Sequence, residues 1–185
     1  MGSLIIGLVG QNCSGKDTVA DYLVSKKGFL RYSLSDYLRN ELKRRGMEVT
    51  RDNLIALGNE LRKTKSPGIL GEKAAERIMP DKNWVVVSIR NPAEAEELRK
   101  LPGFALVSLE APVEKRFERM RKRNREQDPK TLEEFIALEK QENAGGTKQS
   151  IGETMNMADY TIDASGTVSE ELAEVDKLWN KLKNT

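Results

Sequence analysis

Apolar positions along this chain fall into two rhythms. Leu4, Ile5, Ile6, Leu8 and Val9 form a run without polar alternation, which predicts a strand buried on both faces of a parallel sheet. Residues 29–34 read as a short second strand, and residues 84–89, 104–109 and 158–162 as three more. Between them the period is helical. Val19, Ala20 and Leu23 follow Lys16, and Gly28 closes that helix. Ser35 and Asp36 open the next, with Tyr37, Leu38 and Leu42 apolar, and Lys43, Arg44, Arg45 and Gly46 read as its end. Thr50 starts a helix with Leu54, Leu57 and Leu61 on one stripe, broken by Pro67 and Gly68. A further helix is expected from about 70 to 78, with Ala74 and Ile78 inward, and another over 93–100.

Pro112 opens a long basic helix in which Arg116, Arg119 and Arg123 share a face by their spacing. After an Asp128-Pro129 turn, Thr131 and Glu134 make a capping box for a helix through Phe135 and Leu138. Residues 143–147, with Gly145 and Gly146, read as a mobile connection. Thr167 and Glu170 cap a final helix whose stripe is Val168, Leu172, Val175, Trp179 and Leu182.

Strands alternating with helices predict an α/β fold, a five-stranded doubly wound parallel sheet, in one domain over residues 1–185. Three helices between the second and third strands exceed the one that a crossover needs. The surplus, residues 36–80, reads as a helical insertion over the carboxyl edge of the sheet, where α/β folds take ligands. A second excursion spans about 116–148.

Composition narrows the chemistry. With 32% charged residues and a net charge of +2, bulk charge gives no reason to expect nucleic acid as a partner. No apolar run approaches the roughly 20 residues of a membrane span, so no membrane partner and a cytoplasmic location are expected. Cys13 is the only cysteine, which fits a reducing compartment, and histidine is absent. Catalysis therefore falls to carboxylates, lysine, arginine and bound metal.

The chemistry concentrates after the first strand. Gly10, Gln11, Asn12, Cys13, Ser14, Gly15 and Lys16 have the spacing G-x-x-x-x-G-K between a strand and a helix. Backbone N–H groups of such a loop converge on a phosphate, Lys16 reaches the outer phosphates, and the helix adds its positive end. This is the P-loop pattern, and it predicts ATP with Mg2+. Where the pattern asks for a metal-holding hydroxyl the chain has Asp17, followed by Thr18. A carboxylate beside a triphosphate implies an intervening cation, so both are candidate metal ligands; a helix-end charge is the plain alternative for Asp17.

The Gly-Lys-Asp-Thr run resembles that of phage-type deoxynucleoside monophosphate kinases. The whole plan resembles the nucleoside monophosphate kinase and dephospho-coenzyme A kinase group of P-loop kinases. On residues 57–62 and 88–92, and on Arg119, Arg123, Arg125, Asp128 and Pro129, it is most similar to archaeal dephospho-coenzyme A kinase-like proteins. The same stretches resemble the kinase-like segment of some deoxycytidylate deaminases. The resemblance implies a nucleotide-like small-molecule acceptor, a helical acceptor-binding insertion and an arginine-rich lid. It implies acceptor contacts for Arg39 and Arg90, lid roles for Arg119, Arg123 and Arg125, and packing of the donor base on Ser165, Gly166 and Thr167.

Asp36 is read as a group that orients or deprotonates an acceptor hydroxyl or ligates metal through water, with a helix cap as the plain alternative. Arg39 reads otherwise as an exposed helix charge, and the lid arginines as a solvated face. Residues 165–167 double as a turn and cap. The group commonly has an aspartate near the end of the third strand, where Val86, Val87 and Ser88 supply none. That departure keeps a second function open, a nucleotide-binding sensor or regulatory module with little turnover. A nucleic-acid role for residues 116–125 lacks the interleaved aromatics of a single-strand platform.

Overall fold

The computed structural model describes residues 3–79, 81–123, 128–142 and 150–184. Five strands, β1 (Ile5–Val9), β2 (Leu30–Ser33), β3 (Trp84–Val87), β4 (Phe104–Glu110) and β5 (Tyr160–Asp163), pair in parallel in the order β2-β3-β1-β4-β5. β1 lies in the centre and its neighbours diverge, so the loop after it opens at the switch point of the sheet.

Alternation along β1 explains the layers. Ile6 and Leu8 face α1 (Lys16–Lys27) and α9 (Val168–Lys183), with Phe29 and Trp179 meeting edge to face at 5.3 Å. Ile5 and Val9 face the other core, made with α2 (Leu34–Arg44), α3 (Arg51–Thr64), α4 (Ile69–Ala75), α5 (Pro92–Arg99) and α8 (Ile151–Asn156). Gly7 lies between them because a Cβ there would stand 2.7 Å from the Phe104 ring. Each fully buried Leu or Ile in these layers contributes about 1.5–3 kcal/mol. α6 (Val113–Arg123) and α7 (Leu132–Glu142) form the remaining excursion, anchored by buried Met120 and Phe135.

The expected elements are present with shifted ends. Leu34 begins α2 instead of ending β2. β3 stops at Val87 because Ser88 takes a left-handed φ of 65°, which breaks the ladder although Ile89 stays buried. The helix expected over 70–78 is Ile69–Ala75, and β5 runs to Asp163. Thr50, Thr131 and Thr167 cap as their spacing predicts, and Thr167 closes a full capping box with Glu170. Short α8 has no counterpart in the expectations. On α9, Val168 is 53% exposed, and Glu171 is buried in its stead. The connection read at 143–147 lies outside the described residues.

Candidate functional site

The loop from Gly10 to Gly15 turns back on itself, with the Ser14 N–H donating to Gln11 O at 3.3 Å and Ser14 fully buried. Gly15 is the N-cap of α1 at φ 106°, a conformation that L side chains avoid. Cys13 is left-handed at φ 59°, which costs about 1–3 kcal/mol and persists only where its surroundings fix it. Burial raises the Cys13 thiol pKa, against lowering by Arg123. The first N–H groups of α1 face this turn, the geometry in which a helix start receives anions.

Lys16 curls over the loop. Its Nζ donates to Gly10 O and Gln11 O, each at 2.7 Å, and to Ser14 Oγ at 3.3 Å. Burial first, then the Arg90 charge, pull its pKa from 10.5 down to about 8, against a raising effect of Asp17. Asp17 and Thr18 lie exposed on the first turn of α1, and the Asp17 carboxylate is paired with Arg31, which also holds Asp21 at 2.7 Å. The Asp17 charge is nevertheless felt at both Lys16 and Arg123. Among the described residues no three acidic or thiol side chains gather as a metal cage.

Between this loop and the helices opposite lies a cleft of about 1250 Å³. Asn12, Arg39, Arg90 and Arg123 all line it. Arg39 projects from the second turn of α2, 2.6 Å from Asp36 and 3.2 Å from Ser35 Oγ. Arg90 lies three residues beyond β3, and its backbone N–H is held by Glu94 at 2.9 Å. Where the expected third-strand aspartate is missing, three hydroxyls meet instead: Ser33 to Ser35 at 2.8 Å, Ser33 to Ser88 at 3.0 Å and Ser35 to Ser88 at 3.2 Å. A side pocket of about 120 Å³ opens beneath, and Arg39, Arg51 and Arg90 border both spaces.

The three arginines expected on one face of α6 serve three neighbours. Arg123 makes a two-point pair with Asp128, at 2.9 and 2.7 Å, in the cleft. Arg119 turns away to Ala164 O at 2.7 Å and to Glu171 at 3.5 Å. Arg116 is buried, donates to Asn12 O and Ala111 O, each at 3.1 Å, pairs with Glu139 and lies 5.5 Å over the Phe135 ring. Arg125 lies outside the described residues.

In the β5–α9 turn, Ser165 accepts from Lys115 through its carbonyl and donates its N–H to Asp163 at 2.8 Å. Gly166 packs against Glu170, and Thr167 caps α9. Beyond the turn, Glu171 of α9 lies beside the phosphate loop and within 3.5 Å of Arg119. The Glu171 carboxylate abuts Gly15 so closely that a Cβ there would collide with it. Burial raises the Glu171 pKa, and its Oε1 and the Arg119 Nη1 are buried without hydrogen-bond partners among the described residues.

Sequence reasoning missed Glu94, Glu139 and Glu171, the buried carboxylates that touch the site's backbone. One signal was available. Each stands four residues from a buried apolar residue on the inward stripe of its helix, Leu98, Phe135 and Val175 respectively.

Comparison with known proteins agrees with this geometry. A UPF0200 protein of Pyrococcus horikoshii is 34% identical over 97% of both chains. The UPF0200/UPF0201 protein of Archaeoglobus fulgidus is 32% identical over 96% of this chain, which spans about half, 55%, of that relative's length. Among solved structures, shikimate kinase from Bacteroides thetaiotaomicron superposes with a TM-score of 0.65 at 18% identity, covering 96% of this chain and 98% of that one. Shikimate kinase from Acinetobacter baumannii, in complex with shikimate, gives 0.59 at 16% identity, covering 99% and 95%. These likenesses show an α/β P-loop kinase fold. Residues 6–143 match the family model of an AAA domain, and with the full-length relatives this establishes that the chain belongs to that family and to the UPF0200 proteins.

Proposed function

We propose that this protein is a kinase that binds ATP with magnesium on residues 10–18 and transfers the terminal phosphoryl to a nucleotide-like acceptor. The acceptor class is a nucleoside or deoxynucleoside monophosphate, or dephospho-coenzyme A. The carrying observation is the single cleft onto which Asn12 of the loop, Arg39 and Arg90 of the opposite side and Arg123 open together. Two phosphate-bearing molecules need cationic donors on both sides of the transferring group, and guanidinium forks suit phosphate oxygens. The names of fold neighbours, shikimate kinases and a gluconokinase, support small-molecule phosphoryl transfer.

In this reading Gly15, Lys16 and the start of α1 hold the donor phosphates. A phosphate entering the loop draws Lys16 Nζ away from the carbonyls of Gly10 and Gln11, and the anion favours its charged form. Arg39 and Arg90 orient the acceptor, and Arg123 exchanges Asp128 for the phosphoryl oxygens. Asp36 takes the proton where the acceptor presents a hydroxyl, and Arg119 with residues 165–167 supports the donor base. The donor set suits a metal that comes with its nucleotide: Asp17 and Thr18 are hard oxygens beside Lys16, and phosphates and water supply the other ligands. Magnesium bound there would neutralise charge developing between the phosphates. Residues 36–80 thus form the acceptor side and 116–148 the lid side of one kinase domain.

A second reading, a nucleotide-binding regulatory module with little turnover, draws on the serine cluster where a third-strand carboxylate is expected and on the Arg31 partner of Asp17. A phosphoryl-transfer screen separates the two. With ATP and magnesium, formation of ADP only when a nucleoside monophosphate, deoxynucleotide or dephospho-coenzyme A is added supports the kinase. Tight ATP binding with no transfer to any of them supports the module.

A further inference from the structure

We propose that Arg116 and Glu139 are positioning residues that clamp the peptide units at Asn12, hold the phosphate loop in its nucleotide-ready shape and make α6 and α7 part of that shape. Asn12 stands at the tip of the loop. Its N–H donates to Glu139 Oε1 at 3.1 Å, its carbonyl accepts from Arg116 Nη1 at 3.1 Å, and Arg116 and Glu139 pair with each other. Both faces of one loop residue are therefore taken by a single ion pair whose side chains are only 8% and 10% exposed. Arg116 Nε also holds Ala111 O beside the end of β4, and its guanidinium lies over Phe135, so the pair cannot swing freely.

The next residue explains what the clamp does. Cys13 carries a side chain in the left-handed region, and such a conformation relaxes unless contacts on either side prevent it. On the far side the turn between Ser14 and Gln11 fixes the chain, and on the near side Arg116 and Glu139 do. Without them the unstrained alternative lies open to Cys13, and the N–H groups beyond it lose their common aim. Preorganised donors bind an anion better than donors that must first be ordered. The wall helix α7, which also lines the cleft through Glu134 and Phe135, therefore bears on the loop.

Hydrogen exchange read by mass spectrometry on the whole chain tests the clamp directly. In Glu139→Ala, amides of residues 12–16 should exchange about tenfold faster, the effect of losing a charge-assisted hydrogen bond. Peptides from β3 and α5 should stay at the wild-type rate, a contrast that general loosening would erase. Glu139→Gln keeps an acceptor oxygen for both donors and should stay within about threefold of wild type. Unchanged loop exchange in Glu139→Ala, or an equal rise in every peptide, overturns the proposal. Should Glu139→Ala not fold, Arg116→Lys takes its place; it keeps the charge but not the fork, and wild-type loop exchange in it overturns the clamp.

The effect on nucleotide affinity rests on the ATP reading above. Calorimetry with ATP and magnesium should show about tenfold weaker binding in Glu139→Ala and recovery in Glu139→Gln. Wild-type protein that binds no ATP would sink the nucleotide reading alone, because loop exchange decides the clamp without nucleotide.

Discussion

The two walls of the cleft are built alike and used differently. On the wall that carries Arg90, buried Glu94 accepts from Arg62 at 2.9 and 2.7 Å and holds the Arg90 N–H with its other oxygen. On the loop wall, buried Glu139 pairs with Arg116 and holds the Asn12 N–H. Both pairs shape backbone. At Arg90 the fixed peptide carries a side chain that lines the cleft, whereas at Asn12 the fixed peptide belongs to the loop itself. Arg39, by contrast, is 44% exposed and paired with Asp36, itself 56% exposed, while Arg123 stands between the two cases, 38% exposed but forked on an Asp128 that is only 11% exposed. An exposed pair contributes little, about 0–1 kcal/mol, so its arginine can change partner at small cost. Burial thus separates Arg62 and Arg116, which hold the frame of the cleft, from Arg39, whose exposed pair is open to exchange.

The largest expected effect breaks the wall that carries Arg90. Glu94→Ala leaves Arg62 charged and buried, and denaturant unfolding should show a loss of about 3–5 kcal/mol. Glu94→Leu with Arg62→Met should recover most of it, since a well-packed apolar pair replaces both charges. A loss below about 1 kcal/mol in the single variant would put Glu94 in the same class as the surface pairs.

Next in size is Lys16. Calorimetry on Lys16→Ala should show ATP affinity down by about a hundredfold, since a charge-assisted contact to phosphate disappears. Unchanged affinity would remove the loop from nucleotide binding. Wild-type affinity should fall as pH rises through about 8, the pKa of native Lys16, and Lys16→Arg should abolish the fall. Stability should move oppositely. Below pH 8 the lysine is charged in both states and its burial cost is in force. Between about 8 and 10.5 the unfolded chain holds a proton that the native one has released, so stability rises with pH across that window.

Arg39→Ala and Arg90→Ala should each raise the acceptor KM about tenfold while leaving ATP affinity within about twofold. Equal losses for both ligands would collapse the distinction between the walls. The smallest effect is expected at Asp17. Asp17→Asn should shift the magnesium midpoint of ATP binding upward by a few-fold and keep the loop's shape, because the carboxylate is exposed and its present partner is Arg31. An unshifted midpoint would leave Asp17 as a helix-end charge worth about 0.3–1 kcal/mol.

Most of the frame was legible because it rests on short-range rules. The apolar run before Gly10, the glycine spacing and the threonine caps all act within a few residues, and the structure keeps each of them. What escaped acts across the fold. Glu139 lies on α7 among Glu133 and Glu134, and only contact with Arg116 and Asn12, 23 and 127 positions away, separates it from those two. Val168 fits the stripe of α9 by spacing, yet it is 53% exposed, and Glu171 takes the inward place beside Gly15 and Arg119. Ser88 ended β3 early because a left-handed φ is a tertiary choice at a residue that extended patterns accept. Six-residue α8 is too short for periodicity to declare itself.

The contact between Gly15 and Glu171 sets a schedule for the chain as it is made. Gly15 leaves the ribosome ahead of the carboxylate that fills the space beside it, which is 156 positions later by their numbers. At roughly 5–20 residues per second the nascent loop waits on the order of ten to thirty seconds for its last neighbour. Throughout that interval β1 and α1 are already exposed outside the tunnel with an incomplete loop between them. The packing of Glu171 against the loop is therefore completed long after the loop itself has been translated.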